Sequence, residues 1–115
     1  MSGVQTETGY EVLLGVVDTE ADGTAEEMPI ADRERAPWES SMEAVCESLA
    51  LRGAFENLER RNAEDELGGT VYSDSPVHTR PALATAHGLI DRGVISESEL
   101  RAKMDEIRAR FEAGA

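Results

Sequence analysis

The stretch Ser96-Glu97-Ser98-Glu99-Leu100-Arg101-Ala102-Lys103-Met104-Asp105-Glu106-Ile107-Arg108-Ala109-Arg110-Phe111 decides the fold class. Ser96 and Glu99 are spaced as a capping box, in which each side chain takes a backbone N–H near the other residue. Ile95 and Leu100 stand at the two positions of a hydrophobic staple. Leu100, Met104, Ile107 and Phe111 then recur at helical spacing, which draws one apolar stripe down a helix whose other faces are charged. Reading backwards, Gly93 stops a helix that starts near Pro81 and carries Leu83, Ala86, Leu89 and Ile90. Gly68-Gly69 ends another, from about Glu56 to Leu67, ahead of the loop 70–77. Gly53 stops a third that opens with Pro37 at its first position and sets Trp38, Met42, Val45 and Leu49 along one face. No strand-like alternation survives past Val17, and no repeat of 20–50 residues is visible. The pattern predicts a mostly α protein: a small domain of about four helices, residues 37–115, behind an extended N-terminal arm, residues 1–36.

The arm is set apart by charge. Nine acidic residues stand against Arg33 and Arg35 before Ala36, a net charge of −7. Gly, Thr, Asp and Glu dominate residues 18–27, which leaves little to bury and predicts an extended or disordered segment. The apolar run 12–17 interrupts that composition and is expected to dock on a partner, in preference to forming an internal strand. Over the whole chain, 115 residues carry 11 basic and 24 acidic side chains, a net charge of −13. That balance argues against nucleic acid and anionic membrane surfaces, because phosphate binding needs clustered Lys and Arg. The run 12–17 is far too short to span a bilayer, and its acidic flank is wrong for a secretory leader. A single cysteine, Cys46, allows no internal disulfide and fits a reducing cytoplasm.

Motifs for self-sufficient chemistry are missing: there is no Gly-rich phosphate loop, no HExxH and no Cys/His metal spacing. His87 falls inside a helix and reads as a structural or surface residue. His78 lies at a loop-to-helix junction. Cys46 sits beside an apolar face as a small buried hydrophobe. Glu64, Asp65 and Glu66 read as a solvated face, and Arg60 and Arg61 as ordinary helix-surface cations.

The run from Trp38 through Leu100 resembles the N-terminal helical half of the nitrile hydratase β subunit and the corresponding chain of thiocyanate hydrolase. The resemblance is carried by Ala36-Pro37-Trp38-Glu39, Gly53-Ala54-Phe55, Glu59-Arg60-Arg61, Tyr72, Pro76, Arg80, Arg92-Gly93-Val94-Ile95 and Glu99-Leu100. It implies a subunit of a heteromeric, metal-dependent enzyme that hydrates a nitrile to an amide and is not catalytic alone. The metal, low-spin cobalt or iron on cysteine sulfurs and backbone amides, would lie in a partner α-type chain, with two of the sulfurs oxidised. One cysteine cannot supply such a site, so no metal or cofactor is expected on this chain.

Arg61 falls where the family places an arginine that donates to those oxidised sulfurs, and a guanidinium offers a rigid fork of donors for anionic oxygens. Arg60 points about 100° away on the helix and reads as a surface or interface residue. A tyrosine pair lines the family's pocket; here those positions are Val77 and His78, with Tyr72 kept, so Tyr72 and His78 are expected in an altered pocket. The family's β-barrel half is expected on a separate chain, as in thiocyanate hydrolase and the toyocamycin-type nitrile hydratase. The resemblance also leaves open a thiocyanate hydrolase β-type subunit and a nitrile hydratase activator, which delivers metal without catalysing the reaction.

Overall fold

A computed structural model describes residues 8–23 and 37–114. The described residues contain five helices and a short 3₁₀ turn: α1 (Glu11–Gly23), α2 (Pro37–Leu51), α3 (Asn57–Gly68), the 3₁₀ turn (Val77–Thr79), α4 (Arg80–Asp91) and α5 (Glu97–Ala113). The described residues form no strand, so the chain is mostly α. None of their helices is long and apolar enough to cross a membrane. The boundaries of α2 to α5 lie within about a residue of those read from Pro37, Gly53, Pro81, Gly93 and Ser96. The capping box of α5 is present: Glu99 N–H donates to Ser96 Oγ at 3.0 Å, and Ser96 N–H to Glu99 Oε1 at 2.8 Å.

The apolar run 12–17 departs from its reading as a partner-docking part of an extended arm. It is helical, and Val12, Leu13 and Val17 are buried in one core with Phe55, Ala63, Leu67, Tyr72, Leu83 and Ala84. A short acidic segment with a glycine and two adjacent valines has poor helix propensity, so tertiary contacts have to hold it. Those contacts come from far along the chain. Val12 N–H donates to Glu97 Oε2 at 3.1 Å, and Tyr10 N–H to the Tyr72 hydroxyl at 3.1 Å. Both bonds satisfy amides at a helix entrance that have no partner within the helix. The acidic stretch 24–36, expected to be extended or disordered, lies outside the described residues.

α2 presents a different face from the one its apolar stripe predicts. Glu39 and Cys46 are its buried residues, while Trp38 is 41% and Val45 47% exposed. The helix is therefore turned by roughly one residue, about 100°, and half of its apolar stripe faces outwards. On α5, Leu100 and Met104 reach the core, while Ile107 and Phe111 stay exposed. A glycine is needed at 88 for packing: a Cβ there would lie 2.6 Å from the Phe55 ring.

A repeat that the sequence does not show is clear in the backbone. The segment from the 3₁₀ turn through α4 spans residues 77–91, α2 spans 37–51, and α3 and α5 begin at 57 and 97, so two helix hairpins are related by a shift of 40 residues. Their connecting turns share one hydrogen-bond pattern. Ala54 N–H donates to Leu49 O at 2.9 Å and Gly53 N–H to Ala50 O at 3.1 Å; Val94 N–H donates to Leu89 O at 3.0 Å and Gly93 N–H to Ile90 O at 3.0 Å. This is the Schellman motif, with glycine in the left-handed region at φ 71° and 73°. Gly53→Ala and Gly93→Ala are each expected to lower stability by about 1–2 kcal/mol, the strain of a Cβ at positive φ. Chemical denaturation checks both. Matching losses follow from matching turns, whereas a neutral Gly93→Ala would contradict the equivalence.

Candidate functional site

A cleft of about 510 Å³ opens between α2 and α3 and is closed at one side by His78 and Pro81. α2 lines it with Trp38, Glu39, Met42, Glu43, Cys46 and Glu47, and α3 with Asn57, Arg60, Arg61 and Glu64. Because α2 is rotated, Trp38 stands at this cleft instead of in the core, with its ring centroid 6.2 Å from that of His78.

The adjacent arginines have separate environments. Arg60 is mostly buried, ion-paired with Glu64 one helical turn on, and it donates to Asn57 Oδ1 at 3.4 Å. Its Nε is buried and finds no acceptor among the described residues. Burial raises the Glu64 carboxyl above its ordinary value, and the Arg60 charge beside it works in the opposite direction. Glu64 is thus a half-buried partner of Arg60, where the sequence suggested a solvated carboxylate. Arg61 is exposed and makes no hydrogen bond or ion pair among the described residues. One helix turn therefore presents a clamped guanidinium and an exposed one.

The structure brings Arg61 and His78 to the same cleft and places Tyr72 elsewhere. Tyr72, expected beside them in a pocket, is 1% exposed and sits in the core. Its hydroxyl accepts from Tyr10 N–H and lies 2.7 Å from His87 Nδ1, while His87 Nε2 faces Asp91 Oδ2 at 3.4 Å. Asp91 also accepts from the Tyr10 hydroxyl. A carboxylate only accepts, so Asp91 suits a ring N–H at Nε2, and the Tyr72 hydroxyl pairs with Nδ1. His87 is fully buried and structural in this network. Burial is the main cause that pushes both phenols up to about 12, seconded for Tyr10 by its hydrogen bond to Asp91. A tyrosine 15 residues before a histidine carries no sequence signal of such a pairing, since the two meet only through the fold.

Among the cleft residues that motif reading left aside, Arg60 and Glu64 carry a legible sign, their i,i+4 spacing. Trp38 carries none, because helical periodicity assigns it to the core.

These residues do not fit a resident thiolate-bound metal. Cys46 is buried with its Sγ 3.6 Å from Thr85 Oγ1, and no group of three or more His, Cys, Asp or Glu among the described residues is placed to hold an ion. What the cleft offers is one exposed guanidinium beside a fixed one, an exposed indole and an imidazole.

Residues 1–115 match the family described as nitrile hydratase β subunit, N-terminal. The chain is 36% identical over 84 residues to the thiocyanate hydrolase subunit beta of Thiobacillus thioparus, a span covering 72% of this chain and 54% of that one. It thus spans about half the length of that relative. No solved structure matches it. Matched along residues 1–115, the chain belongs to the family of nitrile hydratase β-subunit N-terminal domains.

Proposed function

We propose that this chain is a non-metal-binding subunit of a heteromeric nitrile hydratase, a lyase-type enzyme that adds water across a carbon–nitrogen triple bond to give an amide. The observation that carries the reading is the exposed Arg61 guanidinium, without a partner among the described residues, on a chain of this family. An unpaired guanidinium held on a helix is suited to anionic oxygens supplied by another chain, since its planar fork donates two parallel hydrogen bonds.

In this proposal the partner is an α-type chain whose cobalt or iron is held by cysteine sulfurs, two of them oxidised, and a third chain supplies the β-barrel. Arg61 donates to the oxidised sulfur oxygens and fixes their geometry, as outer groups at metal sites do. Arg60, held by Glu64 and Asn57, stiffens the turn from which Arg61 projects. His78, against Trp38, contributes to the wall of the substrate pocket at the subunit boundary. The assembly belongs in the cytoplasm, where a lone buried thiol stays reduced. A toyocamycin-type substrate, a cyano group on a deazapurine nucleoside, fits a pocket that has Val77 and His78 where the family has a tyrosine pair. Thiocyanate is a second reading, favoured by the name of the Thiobacillus relative.

Co-purification with the genomic neighbours, followed by metal analysis, tests the assembly. A stable complex with about one cobalt or iron per copy of this chain is the expected result. Release of this chain once the partner is metal-loaded would favour the activator role.

A further inference from the structure

The second hairpin holds the turn of the first through one arginine. Arg92 donates to Ala54 O at 2.8 Å, pairs with Glu59 at 2.7 Å, and lies over the Phe55 ring at 4.6 Å from its centroid. The repeat of 40 residues puts Arg52 at the same position in the first hairpin, before the same left-handed glycine. Arg52 is exposed and makes no hydrogen bond or ion pair among the described residues. Beside it, Leu51 is 84% and Leu58 70% exposed, whereas the equivalent positions in the second hairpin are Asp91 and Ser98.

The receptor half of the contact is repeated as well. Val94 stands where Ala54 stands, Ile95 where Phe55 stands and Glu99 where Glu59 stands, and Val94 is 55% exposed. Glu99 accepts Ser96 N–H through Oε1, so its Oε2 is left for a guanidinium. One chain thus carries a donor end and a receptor end of a contact that it already makes once internally.

We infer that Arg52, flanked by Leu51 and Leu58, docks on the Val94–Glu99 turn of a second copy of this chain, repeating between molecules the contact Arg92 makes within one. The guanidinium of Arg52 takes the Val94 carbonyl and the Glu99 carboxylate, and the two leucines cover Val94. Charge complementarity and exposed apolar surface coincide at this end of the bundle. Donor and receptor are different residues, so the contact either is made twice across a two-fold axis or propagates head to tail. With few side chains involved, it falls in the small, transient class of interfaces, below about 1,200 Å².

Sedimentation equilibrium of the full chain at about 0.15 M salt, from about 20 µM to about 1 mM, tests this. The weight-average mass is expected to rise above 12.5 kDa with concentration. Arg52→Glu and Leu58→Glu, each shown by circular dichroism to keep the helical fold, are expected to remain monomeric over the same range. A constant monomer mass for the unmodified chain, or unchanged association in a folded Arg52→Glu or Leu58→Glu variant, would each overturn the inference.

Discussion

Arg61→Lys is expected to lower amide formation by the assembled complex by about 10–100-fold, the range for groups that orient metal ligands from outside. Lysine keeps the charge and most of the length but loses the planar fork, so it can offer a point cation where two parallel donors are needed. Arg61 contributes no hydrogen bond or ion pair among the described residues, and its removal should leave folding within about 0.5 kcal/mol of the parent. The control is Arg60→Lys. Arg60 is clamped by Glu64 and Asn57, so that change is expected to act on stability as well as on turnover. Steady-state rates on complexes of verified composition and metal content separate the two. Full turnover for Arg61→Lys in an intact, loaded complex would remove Arg61 from the chemistry.

Tyr72→Phe is expected to destabilise the isolated chain by about 2–3 kcal/mol. The change keeps the ring in the core but leaves His87 Nδ1 and Tyr10 N–H without their shared hydroxyl, and a buried unpaired polar group costs about 1–3 kcal/mol. For a domain of this size that corresponds to a fall of roughly 10–20 °C in the melting temperature. pH dependence supplies a second readout. Between about pH 10, the ordinary tyrosine value, and about 12, the unfolded chain gives up phenol protons that the folded chain keeps on Tyr10 and Tyr72. The unfolded state then binds fewer protons, so stability falls as pH rises through this window and is fully present below it. Tyr72→Phe starts less stable at neutral pH and declines less steeply above pH 10, since one of the two phenols is gone. Thermal melts from pH 8 to 12 measure both slopes. Parallel curves for the two proteins would contradict the buried-phenol account.

Helix stops and starts were legible in the chain because they depend on neighbours in sequence: Gly53 and Gly93 sit at the left-handed positions their residue type predicts, and Ser96 and Glu99 cap α5. α1 was not legible, because the groups that satisfy its entrance are Tyr72 and Glu97, far along the chain. The same distance hid the Tyr10–Asp91–His87–Tyr72 network, which holds Tyr72 in the core of this chain. Periodicity separated Arg60 from Arg61 by about 100° but could not say which was held, since that depends on how α2 is turned. The rotation of α2 also decides the cleft, bringing Trp38 to its mouth and burying Glu39. The 40-residue repeat is not visible in the sequence because its two copies share turn chemistry and little of their helix faces; Arg60 in one corresponds to Leu100 in the other.

The central claim is that this chain completes a hydration site it cannot form alone, and reconstitution tests it most directly. The metal-loaded α-type partner, with the barrel chain, is assayed for nitrile-to-amide conversion with and without this subunit. The account predicts amide formation that depends on this chain and saturates at its stoichiometric addition. Equal amide formation in its absence would contradict the account and assign the chain to delivery of the metal instead of to the enzyme.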